Sequence, residues 1–346
     1  MRRAYYHCRR CRHGHFPLDG RIGLEHGLSP GVQPLVALAG VLGSFADAAE
    51  DLLRRFCGLT VCPSTVQRLT ESAGGRAQQQ QRAGRPIAAA VEQPAWKLEV
   101  PEREATAAYL GLDAFSVPMQ GPDGGAADHR MLYVGLLYTP DKRHTCYLVD
   151  FDLKKLTAQL RLYAVAFGLG RADDLLAVTD GGNGLEEALR GAFWDGLQFI
   201  LDWYHAMEHV HAFGQVLHAR DPDRAREWAR AAETILWQRG GEALAAYLDG
   251  LPIPDEDEGR EGLRKLRGYV AGNAHRMDYP EYRRRGWDVG SGPTEAGCKV
   301  LGARLKGSGM RWGEAGAEQV AVLRALYQSR EGLWDGFWSQ PRQPAA

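Results

Sequence analysis

Apolar residues recur along this chain with two periods, and the change from one to the other divides it. Short apolar runs of strand composition occupy residues 108–112, 131–138, 145–151, 175–179 and 197–201. The second and third flank Thr139-Pro140-Asp141-Lys142-Arg143, which reads as the turn of a hairpin or meander. Elsewhere the spacing is helical: amphipathic helices are expected at about 153–167 and 184–192, and residues 204–272 read almost wholly as helix, interrupted by the acidic stretch 254–258. Three antiparallel strands followed by alternating helix and strand predict an α/β fold with a mixed sheet, and the long helical stretch reads as an insertion into it.

A helical block precedes the sheet. Ser44 is the expected N-cap of a helix over 45–56, Gly58-Leu59-Thr60-Val61 a tight turn, and Pro63 the start of a second helix over 64–72. Helix, glycine turn and helix form a helix-turn-helix pattern, whose second helix would offer Ser64, Thr65, Gln67 and Arg68 to a DNA groove. Plain helix packing would give the same string. Residues 74–94 are polar and loosely patterned, as a linker or an exposed helix would be. The expected organisation is a partial zinc ribbon over 1–20, a DNA-binding region over 21–75 and a linker over 76–105. The core would span 106–202 and 286–330, around a helical insertion over 203–285, with a tail over 331–346.

Three acids stand out against this frame. Asp113 and Asp180 each close a strand-like run and are expected at strand ends, where open α/β sheets form their crevices. Glu295 follows the small-residue turn Gly290-Ser291-Gly292-Pro293, a helix-start signal that puts it in a first helical turn, ahead of Lys299, Arg304, Lys306 and Arg311. Alone, such an acid is a surface ion pair. Three carboxylates brought together would suit Mg²⁺ or Mn²⁺, and two such ions about 3.5–4 Å apart serve in-line phosphodiester displacement.

The segments Asp113-Ala114-Phe115-Ser116-Val117-Pro118, Thr179-Asp180-Gly181, the run from Ile200 through His205 to His209, and Gly290 through Glu295 to Lys299 resemble those of DDE transposases of bacterial insertion sequences. The resemblance is to the ISKra group, distantly similar to the Mutator-like superfamily. It covers about residues 4–338, and Asn273-Ala274-His275-Arg276-Met277-Asp278-Tyr279 falls in the expected order. It implies a ribonuclease-H-like catalytic core, a metal-bound triad of Asp113, Asp180 and Glu295, and cutting and strand transfer of the element's own ends. It also implies double-stranded DNA as partner, with Lys299, Arg304, Lys306 and Arg311 as further DNA contacts, a homo-oligomer on that DNA, and a place in the bacterial cytoplasm at the nucleoid. The chain departs from the family after the first acid, carrying Ala114-Phe115-Ser116 where members have Gly-Thr-Gly. A non-catalytic, truncated or domesticated DNA-binding relative, or a metal-dependent nuclease of the same fold, are the competing expectations.

Asp202, His205 and His209 form a second constellation. The two histidines are four apart on one helix face, the spacing of zinc-binding helices, but Ala206 stands where zinc hydrolases carry Glu. Either Asp202 caps a helix whose histidines are simply packed, or the three orient DNA or tune the surroundings of the metals. Cys8-Arg9-Arg10-Cys11 is one knuckle of a zinc ribbon and so a candidate Zn²⁺ site, while Cys57, Cys62, Cys146 and Cys298 read as small buried apolar residues.

Whole-chain numbers bound these readings. At 346 residues and 45% hydrophobic content the chain can bury a sizeable core in two or three domains. No run of about 18 apolar residues predicts a membrane span, and no apolar segment near the amino terminus reads as a secretory signal. Six cysteines without paired spacing suit a reducing compartment. A net charge of −1 requires any phosphate-binding surface to be patterned, with basic clusters at 2–12, 283–285 and 304–311. Trp287 and Trp312 beside those clusters could stack on splayed bases, although burial is the commoner fate of such rings.

Overall fold

The computed structural model of this chain describes residues 3–87, 95–100, 103–181, 184–193, 196–330 and 332–340. A two-stranded hairpin, β1 (Tyr6–His7) and β2 (Gly14–His15), leads into α1 (Pro17–Arg21), α2 (Gln33–Leu42) and α3 (Phe45–Asp47). The chain continues from α3 as a π-wound segment, Ala48–Phe56, and then forms α4 (Pro63–Arg82). Ser44 caps the α3 start as expected, accepting the Asp47 N–H at 3.1 Å.

The sheet follows: β3 (Lys97–Val100), β4 (Arg103–Gln120), β5 (Ala126–Tyr138), β6 (Thr145–Asp150), α5 (Leu153–Ala166), β7 (Asp174–Thr179), α6 (Leu185–Ala192) and β8 (Leu197–Leu201). Its order is β6-β5-β4-β7-β8, with β3 paired on β4. The first strands are antiparallel, and β7 and β8 run parallel to β4. The expected α/β class with a mixed sheet is therefore present. Four helices come next: α7 (Trp203–Leu217), α8 (Pro222–Asp249), α9 (Asp257–Asn273) and, after a 3₁₀ turn at Ala274–Arg276, α10 (Tyr279–Arg285). The acidic interruption does part α8 from α9. The chain closes with α11 (Gly292–Leu305), α12 (Glu314–Gln328) and α13 (Leu333–Ser339).

Strand alternation makes two cores, one on each sheet face. Ala108, Leu110 and Leu112 of β4 join a core with α2, α4, α5, α11 and α12; Ala105, Ala107 and Tyr109 join the one formed with α7 to α10. Of the stretch read as a linker or an exposed helix, residues 74–82 are helix, because α4 runs unbroken through Gly74 and Gly75, and 88–94 lie outside the described residues. These glycines are a helix crossing, since a Cβ at Gly74 would stand 2.0 Å from the Gln319 carbonyl oxygen of α12. α2 and α4 thus pack one face into the core of the sheet, while Val36, Ala39, Ala48, Ala49, Leu53, Val66 and Leu69 of the amino-terminal helices form a cluster of their own.

The same device seats α11. A Cβ at Gly111 of β4 would lie 1.8 Å from the Thr294 hydroxyl oxygen, so the helix start rests directly on the strand. Gly111→Ala should push α11 off β4 and destabilise the protein by about 1–3 kcal/mol, the usual range for overpacking; a urea midpoint unchanged from wild type would refute this contact.

Candidate active site

Asp113 lies inside β4 rather than at a strand end. Ala114, Phe115 and Ser116 pair with Tyr133, Leu132 and Met131, which carries the strand on to Gln120. The parallel pairing with β7 nevertheless stops at Gly111–Val178, two residues before the acid, so Asp113 still clears that edge. Asp180 directly follows Thr179, the last residue of β7, and Glu295 occupies the first turn of α11, both as expected. All three line one cleft of about 230 Å³, together with Leu112, Tyr204, His205, Glu208 and Ser291.

Local bonds fix these positions. The Ala114 N–H donates to Asp113 Oδ1 at 2.6 Å, and the Ser291 hydroxyl lies 3.2 Å from Glu295 Oε1. The carboxylate of Glu295 sits near the α11 amino terminus, where the helix dipole favours negative charge. Burial, together with the neighbouring Asp113 carboxylate, pushes the Cys298 thiol well above its ordinary range, so it stays neutral.

Asp202 is the organiser. It is buried, caps α7 by accepting the His205 N–H at 2.8 Å, and accepts the Ser291 N–H across the chain. Backbone bonds from Asp202 to Thr179 and from Trp203 to Val289, both 2.8 Å, complete the tie between the β7 end, α7 and the α11 start. The cap is real, and its second bond reaches the turn that delivers Glu295.

The histidines part company. Their rings meet edge to face at 5.0 Å; His209 stacks on Tyr269 at 3.9 Å, and burial lowers its pKa with help from His205. Only His205 faces the cleft, with Nδ1 3.3 Å from Glu208 Oε2. Glu208 and Tyr204 escaped the sequence reading, although helical spacing from Asp202 along α7 puts both on the same exposed side as His205.

Four carboxylates and one imidazole suit a hard divalent cation. Among the described residues, however, no three or more His, Cys, Asp or Glu side chains stand close enough together to hold a metal ion. The donors share the cleft without forming a ready coordination shell.

The expected DNA contacts divide similarly. Ser64, Gln67 and Arg68 are exposed on α4, while Thr65 is half-buried with its hydroxyl 3.1 Å from Cys62 Sγ. Lys299, Lys306 and Arg311 are exposed. Arg304 is not: it is 3% exposed, donates to the Gly40 carbonyl at 2.8 Å, and lies between the rings of Phe45 and Trp312. It shares the inward face of α11 with Leu301 and Leu305, and burial lowers its pKa to about 10. It holds α2, so it cannot hold phosphate. Trp287 and Trp312 are buried too, donating to Asp174 Oδ2 and the Leu305 carbonyl, and offer no face to a base.

Cys8 and Cys11 sit in an exposed turn closed by β1 and β2, and the Cys11 N–H points at Cys8 Sγ, 3.5 Å away. That hydrogen bond helps lower the Cys8 pKa, as a metal-binding knuckle requires, but the turn supplies only two thiols. Cys57 and Cys62 are exposed, contrary to expectation. Hydrogen bonds from Ser64 and Thr65 draw the Cys62 pKa down to about 7.

No protein-family model matches this chain, and no curated protein matches it. Its function must be argued from the cleft. No helix among the described residues is long and apolar enough to cross a membrane.

Proposed function

We propose that this protein is a DDE-type transposase with a ribonuclease-H-like core, cutting and joining the ends of its own insertion sequence. The observation that carries the reading is the meeting of Asp113, Asp180 and Glu295, far apart in sequence, at one cleft. The sheet order supports it, as does the arrival of the last acid on a helix after a helical insertion.

The cleft residues fit Mg²⁺ or Mn²⁺ in donor chemistry, although not yet in spacing. Bound there, divalent ions would activate water or a 3′-hydroxyl and stabilise the leaving oxygen. Asp113, Asp180 and Glu295 would hold them. Asp202 keeps the Glu295 turn in place, His205 and Glu208 orient groups at the cleft wall, and Lys299, Lys306 and Arg311 engage phosphates. Ser64, Gln67 and Arg68 would read duplex DNA as part of a homo-oligomer at the bacterial nucleoid, and Cys8 and Cys11 would contribute to a Zn²⁺ site.

The test is incubation with Mg²⁺ or Mn²⁺ and duplexes carrying the DNA that flanks the gene. Joined strand-transfer products are expected. Nicks without joining would favour a nuclease. DNA binding without any cleavage would favour a non-catalytic relative, the reading that the lack of a ready coordination shell among the described residues also favours.

A further inference from the structure

We infer that Arg276, supplied by the helical insertion, is a positioning residue for Asp180. The inference rests on the proposed role of that acid. Arg276 lies in the 3₁₀ turn after α9 and is 5% exposed. Its Nη1 stands 2.8 Å from Glu186 Oε2 and 3.3 Å from Thr179 Oγ1, while Nε and Nη2 both donate to Asn273 Oδ1. Thr179 immediately precedes Asp180, and Glu186 lies in the first turn of α6, which follows it.

One guanidinium therefore grips both sides of the turn that carries the acid. The far flank is close as well: Gly181 has φ +83°, and a Cβ there would lie 3.2 Å from Arg276 Nη2 and 2.8 Å from Leu201 Cδ1. The left-handed backbone at Gly181 and the nearness of the guanidinium hold the backbone just after Asp180 in place. The insertion thus acts as a brace behind the second acid.

A buried ion pair that served stability alone would have no bearing on what Asp180 binds. The two roles separate with Mn²⁺ as the probe and no DNA present. Arg276→Lys keeps the charge but loses the planar fork, so it cannot span Thr179, Glu186 and Asn273 together. Thr179→Val removes one contact and leaves the Glu186 pair intact.

Calorimetric Mn²⁺ titration, run well below each variant's unfolding temperature, should show binding to wild type that is lost in Asp180→Asn. Affinity should fall tenfold or more in Arg276→Lys and severalfold in Thr179→Val. Wild-type affinity in a folded Arg276→Lys would overturn the inference and leave the proposed function standing. If Arg276→Lys does not fold, wild-type affinity in Thr179→Val overturns it instead. A wild type that binds no Mn²⁺, with no cleavage in the flanking-DNA assay, would sink the proposed function and this inference together.

Discussion

Asp113→Asn, Asp180→Asn and Glu295→Gln should each cut the proposed metal-dependent DNA cleavage by at least about a thousandfold, since a carboxylate that holds a catalytic metal supplies several kcal/mol of transition-state stabilisation. Folding should hardly change. Glu295 has half of its side chain exposed, accepts a hydrogen bond from the Ser291 hydroxyl at 3.2 Å that Gln can also accept, and lies 3.9 Å from Lys299 Nζ. Asp113 bonds its own neighbour Ala114 and accepts from the neutral, half-buried Cys298 thiol, a bond that an Asn carbonyl oxygen can also accept. Gel assays of strand cleavage alongside thermal melts would check both halves. Cleavage at the wild-type rate by any one of the three would remove that acid from the mechanism.

The second large effect concerns the amino-terminal helices. A chain beginning at residue 95 should fail to fold cooperatively, although its sheet and all three acids are retained. Ala37, Val41, Ala73, Ala77 and Ile87 are fully buried in the core that α11 and α12 share. Arg304 and Arg324 donate to the carbonyls of Gly40 and Val41, and Arg82 meets Asp150 and Glu318. Deletion strips these donors and acceptors of their partners at about 1–3 kcal/mol each, and exposes apolar side chains besides. Those losses are set against a total stability of roughly 5–15 kcal/mol. A sharp urea transition in the truncated protein would show the region to be a separable module after all.

The strands and the long helical run were legible because their periods are carried by buried apolar residues, which tertiary packing reinforces. Asp180 and Asp202 were legible as acids following strands because the apolar runs before them stop where β7 and β8 stop. Asp113 misled because pairing with β5 sustains the strand beyond it, and nothing local announces a distant partner. Gly74-Gly75 reads as linker or exposed helix in sequence and is a close crossing in space; α12, some 240 positions later, explains it. Charge counting placed Arg304 on the surface, whereas its position on the Leu301–Leu305 face of α11 turns it inward. Glu208 was hidden among the many acids of a helical segment and became visible only when α7 was set beside the α11 turn.

The siting of the first acid in the middle of an 18-residue strand makes the three acids unequal. Asp113 is a fixed post, locked opposite Val134 in the antiparallel ladder, whereas Asp180 and Glu295 ride on a turn and on a helix start. The other two keep their places through contacts far away in sequence, Arg276 behind the Asp180 turn and Asp202 behind the α11 start. Loosening either seat would then misplace one acid while Asp113 stays where the sheet holds it.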